Sequence, residues 1–128
     1  MKRKMQKNIF GLEITPCSNN PKTGYFRDGC CNTDEKDFGV HTVCVLVTEE
    51  FLAFSKNAGN DLSTPVTIYN FSGLKPGDKW CLCASRWLEA HHAGQAPLID
   101  LEATNEETLK YIPMNLLLEY AIKVEQNS

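Results

Sequence analysis

The side chains best equipped for chemistry in this 128-residue chain are its six cysteines and three histidines. GDKWCLCASRWLEAHHAG, residues 77–94, sets Cys81 and Cys83 two apart. Asp78 is a good helix N-cap and Gly94 a good stop, so a helix is expected over this stretch, with Cys81 at its third position. Two residues of α-helix turn by about 200°, so the two sulfurs point apart and do not clamp one metal. Cys83 falls on the face of Ala84, Trp87 and His91 and reads as a small core hydrophobe. Cys81, in the first turn, faces the positive end of the helix dipole, which favours a thiolate; the alternative is an inert buried thiol.

The other cysteines are Cys17, Cys30, Cys31 and Cys44. Adjacent Cys30 and Cys31 are poorly placed to share a metal or a disulfide, so one of the two is expected to matter. His41 and Cys44 have the two-residue gap of a zinc half-site, but on a strand they point to opposite faces. Cys44 therefore reads as core, while His41 can reach Cys31 as a metal-binding or activated-thiol pair. A composite site of Cys17, Cys31, His41 and Cys81 would hold zinc or no metal. The CxxC…CxxC spacing of a strong zinc site is absent. So are a glycine-rich phosphate loop, a GxSxG elbow and HExxH.

Two polar loops add binding groups. In Tyr25-Phe26-Arg27-Asp28-Gly29, Arg27 can clamp a carboxylate or phosphate, or pair with Asp28 inside the loop. Asn60-Asp61-Leu62-Ser63-Thr64-Pro65 gathers hydrogen-bonding side chains that line a ligand site or satisfy their own turn. His91 and His92 read as exposed helix-end residues.

These groups must be positioned by one domain, expected at residues 8–124 between a disordered tail (1–7) and a frayed end (125–128). NIFGLEI (8–14) reads as a short kinked strand, and GVHTVCVLV (39–47) as a central strand covered on both faces. Thr48 caps a helix with Glu49 and Glu50 in its first turn, a stripe of Phe51, Leu52, Phe54 and Ala58, and a stop at Gly59. PLIDLEA (97–103) alternates like a strand. Thr104 and Glu107 suggest a capping box, and Pro113 opens a last helix with Leu116, Leu117, Tyr120 and Val124 on one face. The fold class is mixed α/β (α+β), with about three strands, about four helices and long irregular segments at 15–39 and 60–78.

A net charge of −3 and a pI near 5.6 argue against nucleic-acid or anionic-membrane partners. No apolar run is long enough to cross a bilayer, and the basic start lacks the hydrophobic run of a signal peptide. The expected setting is cytoplasmic, where the cysteines stay thiols, ligands or core residues rather than disulfides.

TGYFRDGCC, GVHTVC, EEFLAFSKNAGNDLSTP and GLKPGDKWCLCASRWLEA together resemble the family catalogued as domain of unknown function 2237, from about Asn8 to Ala121. The resemblance carries no established activity. Its pattern includes Cys17, Arg27, Asp28, Cys31, His41, Cys44, Asn60, Asp61, Cys81 and Cys83. It does not call for histidines at 91 and 92, tends to have histidine where this chain has Tyr120, and often reads Phe-Pro-Gly at Phe71-Ser72-Gly73.

The matching positions fall mainly in the two irregular segments, which are expected to meet at one pocket. Its candidate catalytic groups are Cys31, Cys81, His41 and Asp28. Arg27, Asn60, Asp61, Ser63 and Thr64 are the candidate ligand-binding groups, and Cys17, Cys31, His41 and Cys81 the candidate metal ligands. Three functions remain open: a metal or reactive-thiol site, a binder or enzyme for a small anionic or polar metabolite, and an interaction module without chemistry.

Overall fold

A computed structural model of the protein describes residues 6–69 and 71–123. The expected tail and frayed end lie largely outside these residues, as does Val124. The core is a three-stranded antiparallel sheet: β1 (His41–Leu46) lies between β2 (Lys79–Cys83) and β3 (Leu98–Ile99). The β-branched run HTVCVL forms the middle strand because both its faces find cover. Val43 and Val45 join Leu82, Trp80, Phe51, Trp87, Ile99 and Leu117 in the main core. Cys44, between the two valines, belongs to a second cluster with Ile14, Cys17, Cys31, Cys81 and Ala103.

Among the described residues, three α-helices complete the α+β domain: α1 (Glu49–Asn57), α2 (Ala84–His92) and α3 (Met114–Glu119), with 3₁₀ turns at Thr67–Tyr69, Leu101–Ala103 and Glu106–Lys110. The Thr48 hydroxyl accepts from the Phe51 N–H at 3.1 Å, capping α1. Gly59, at φ +96°, follows that helix in the left-handed conformation a side chain resists. Trp87 anchors α2, fully buried, with its indole N–H on the Pro97 carbonyl at 3.1 Å. Among the described residues, no helix is long and apolar enough to cross a membrane.

Three local expectations are corrected. NIFGLEI is a turn held by isolated bridges, Lys7 to Glu13 and Asn8 to Asn105, rather than a strand. The buried Asn8 carboxamide oxygen accepts from the Phe10 and Leu12 N–H groups and curls the segment on itself. Asn105, not Thr104, caps the 3₁₀ turn that follows it, accepting from the Glu107 N–H at 2.9 Å. Thr104 instead donates to the Asp100 carbonyl and accepts from Cys44. Most consequential, no helix starts at Asp78. That carboxylate accepts from the Lys75 N–H at 2.8 Å and closes the Pro76–Gly77 turn, and residues 79–83 pair with β1 as a strand.

Candidate thiol–imidazole–carboxylate site

Because β2 runs as far as Cys83, that residue ends a strand and serves as the N-cap of α2. It is half-buried, not the core residue its place on a longer helix would make it. The first N–H groups of a helix have no partner within it. They begin directly after this sulfur, with that of Ala84 already donated to the Val40 carbonyl at 3.0 Å. Across the ladder Cys83 pairs with His41, and the register slips between His41 and Val43. The slip changes the orientation of His41 relative to the core-facing valines.

Asp37 fixes the imidazole from its far side. Its carboxylate is fully buried and accepts three hydrogen bonds: His41 Nδ1 at 2.6 Å, His41 N–H at 2.9 Å and the Thr33 hydroxyl at 2.9 Å. Burial alone would push this carboxyl up, but the His41 backbone and ring and the Thr33 hydroxyl outweigh it and hold it below the ordinary value. The hydrogen bond to Cys83 is the largest influence on His41; burial opposes it, Asp37 adds to it, and the imidazole is pushed up to about 9. Gly39 makes room for this pair. A Cβ there would lie 2.7 Å from His41 Cε1 and 3.2 Å from Cys83 Sγ.

The site opens into a cavity of about 240 Å³ lined by Tyr25, Arg27, His41, Asn60, Leu62, Trp80, Leu82 and Cys83. Tyr25 and Arg27 come from the first irregular segment, Asn60 and Leu62 from the second. Arg27 sits at φ +56°, where a non-glycine residue is uncommon. Its Nη1 donates to the Gly24 carbonyl at 2.7 Å and its guanidinium lies 5.1 Å above the Trp80 ring. Among the described residues, no carboxylate pairs with it. Tyr25 stacks on His41 at 6.2 Å.

The remaining candidates lie elsewhere. Cys31 and Cys81 are buried and joined in a disulfide, as are Cys17 and Cys44, contrary to the expectation of thiols throughout. While these bonds are closed, neither Cys31 nor Cys81 presents a free thiol. Cys17, Cys31 and Cys81 hold their sulfurs within 4.8 Å of one another, but His41 is turned to Asp37 and Cys83 instead. Asp28 accepts from the Cys30 N–H and the Asn32 amide, both at 3.0 Å, and so shapes its own loop. Burial, then the Asp28 charge, pushes the buried Cys30 thiol up. Asp61 is occupied by the hydroxyls and N–H groups of Ser63 and Thr64, the Thr64 hydroxyl first, which bring its carboxyl down to about 2. His91 bonds the Tyr120 hydroxyl at 3.0 Å and stacks on Trp87.

Sequence reasoning missed Asp37 and Cys83. The available signal was Asp37 four residues before His41 across a glycine, with KWCLC rich enough in strand-forming residues to pair with that histidine.

No curated protein matches the chain. Residues 7–121 match a family described as an uncharacterized protein conserved in bacteria, and the chain belongs to that family, domain of unknown function 2237.

Proposed function

We propose that the protein is a thiol-dependent catalyst in which Cys83 is the nucleophile, His41 its proton partner and Asp37 the group that orients the imidazole. One observation carries this reading: His41 has one ring nitrogen on a buried carboxylate at 2.6 Å and lies across the ladder from the Cys83 sulfur at the mouth of a cavity. A thiol beside an imidazolium and at a helix N-terminus is activated for attack. The sulfur would add to an electrophilic carbon, and the His41 proton would go to the departing group. The cavity suits a substrate smaller than a drug-sized molecule, and Arg27 suits one carrying a carboxylate or a comparable anion.

Alkylation of the native chain tests the reading. Iodoacetamide should modify Cys83 ahead of buried Cys30, and His41→Ala should slow the reaction about tenfold at neutral pH by removing the proton partner of the sulfur. The anion preference is read by comparing negatively charged iodoacetate with neutral iodoacetamide. The ratio of the two rates should fall in Arg27→Gly. Cys83 reacting no faster than a free cysteine, with no response to His41→Ala, would remove the catalytic role. In that case a preserved response to Arg27→Gly favours a second reading, a binding protein for small anions, supported by the pinned guanidinium of Arg27.

A further inference from the structure

The second cluster brings together four cysteines from distant parts of the chain. Cys17 and Cys31 belong to the first irregular segment, while Cys44 and Cys81 face each other across the β1–β2 ladder. Cys17 reaches Cys44 with 5.8 Å between Cα atoms, and Cys31 reaches Cys81 with 5.3 Å. Three of the sulfurs already lie within 4.8 Å of one another, and Cys44 is bonded to one of the three. Ile14 and Ala103 pack beside the sulfurs, and among the described residues no carboxylate or imidazole joins the group of Cys17, Cys31 and Cys81.

Each cysteine is also fastened by a hydrogen bond that does not involve its sulfur. Cys17 N–H donates to the Gly29 carbonyl at 2.8 Å, and Cys44 N–H to the Thr104 hydroxyl at 3.2 Å. Cys81 N–H donates to the Thr23 hydroxyl at 2.9 Å, and the Cys31 carbonyl accepts from the Asn105 amide at 3.1 Å. Opening the two sulfur–sulfur bonds therefore leaves four thiols gathered in one buried place. Four gathered thiols and no oxygen donors are a soft ligand set that selects zinc over magnesium or calcium. A tetrahedral zinc with sulfurs at about 2.3 Å needs them about 3.8 Å apart, so each bonded pair must part on reduction and the Cys44 sulfur must draw in toward the other three.

We propose that the reduced chain binds one zinc ion through Cys17, Cys31, Cys44 and Cys81, so that reduction converts the cluster from two disulfides to a tetrathiolate metal site. Two equivalents of a dithiol reductant supply four electrons and four protons, becoming two cyclic disulfides and leaving four thiols. Zinc then displaces the four protons. The site uses none of the Cys83, His41 and Asp37 atoms, so either proposal can fail without the other.

The test uses the full chain, reduced under anaerobic conditions and freed of reductant. Added zinc should be retained at one ion per chain through gel filtration, and cobalt should give the absorption of a tetrahedral thiolate site. Mass-spectrometric mapping after alkylation should show Cys17, Cys31, Cys44 and Cys81 protected by zinc while Cys83 remains reactive. Cys44→Ser should weaken zinc binding at least about tenfold, and His41→Ala should leave it unchanged. Reduced wild-type protein that retains no zinc, or whose four cysteines alkylate equally with and without it, overturns the proposal. So does a folded Cys44→Ser chain that binds zinc as tightly as wild type. The wild-type mapping stands alone should the variant fail to fold.

Discussion

Replacing Asp37 by asparagine isolates the link between the buried carboxylate and the imidazole. The amide oxygen can still accept from the His41 N–H and the Thr33 hydroxyl, which share one carboxylate oxygen. The other oxygen, now an NH₂ group, meets His41 Nδ1 with a donor where a protonated ring also has one. The variant ring must turn or lose its proton. Each tenfold change in proton affinity is worth about 1.4 kcal/mol, so a rise from 6.5 to about 9 represents about 3 kcal/mol at most. Cys83 supplies the largest part of it, and the His41 side chain is 37% exposed, so solvent screening reduces the Asp37 share to about 1 kcal/mol. His41 is raised on folding, so its contribution is complete below pH 6.5 and is lost as pH climbs through about 9. The Asp37 contribution has the opposite sign of dependence, present above pH 3.8 and lost as pH falls through its lowered folded value. Asp37→Asn should therefore cost about 1–2 kcal/mol near pH 5.5, or roughly 4–6 °C in midpoint, and clearly less near pH 9.5. Urea unfolding at both pH values, with an NMR titration of the His41 ring, measures this. An equal loss at both pH values, with the ring titrating as in wild type, would refute the reasoning.

Three further outcomes are expected. Gly39→Ala inserts a methyl 2.7 Å from His41 Cε1; the ring should swing away from Cys83, cutting iodoacetamide reactivity about tenfold while costing only about 1 kcal/mol in urea unfolding. Arg27→Gly relieves a backbone held at φ +56° but gives up the Gly24 hydrogen bond and the Trp80 contact, so unfolding free energy should change by less than about 1 kcal/mol even as the iodoacetate preference falls. Thr23→Val leaves the buried Cys81 N–H without its acceptor and should cost about 1–3 kcal/mol, seen as a lower thermal midpoint. An unchanged midpoint would mean that this N–H finds another partner.

The parts of the fold that were legible are those where local chemistry and tertiary packing agree. The β-branched HTVCVL run became the central strand, and Thr48 with Glu49 and Glu50 marked the start of α1. Asp78 was misleading because its capping chemistry is real but serves the Lys75 turn, while β1 offers residues 79–83 a hydrogen-bonding edge that no local rule registers. The misplaced helix start assigned Cys83 to the core and hid its pairing with His41. Arg27, His41 and Asn60 were identifiable as polar groups in or beside irregular segments, and the cavity holds all three. Asp37 carried only its spacing, four residues before His41, because an acidic residue in a polar segment reads as solvated until the turn to Val40 and the Thr33 hydroxyl enclose it. The disulfide partners were equally hidden, because pairing between cysteines 27 and 50 residues apart is a property of the folded path.

The slipped register between His41 and Val43 lets one strand do two jobs. Val43 and Val45 answer to the hydrophobic interior, whereas His41, on the other side of the irregularity, answers to Asp37 and Cys83. The extra residue at the slip is Thr42, fully buried, whose hydroxyl accepts from Thr108 and whose carbonyl accepts from the Asn105 N–H, so deleting it would part the imidazole from Cys83 and unfasten the packing behind the strand in one stroke.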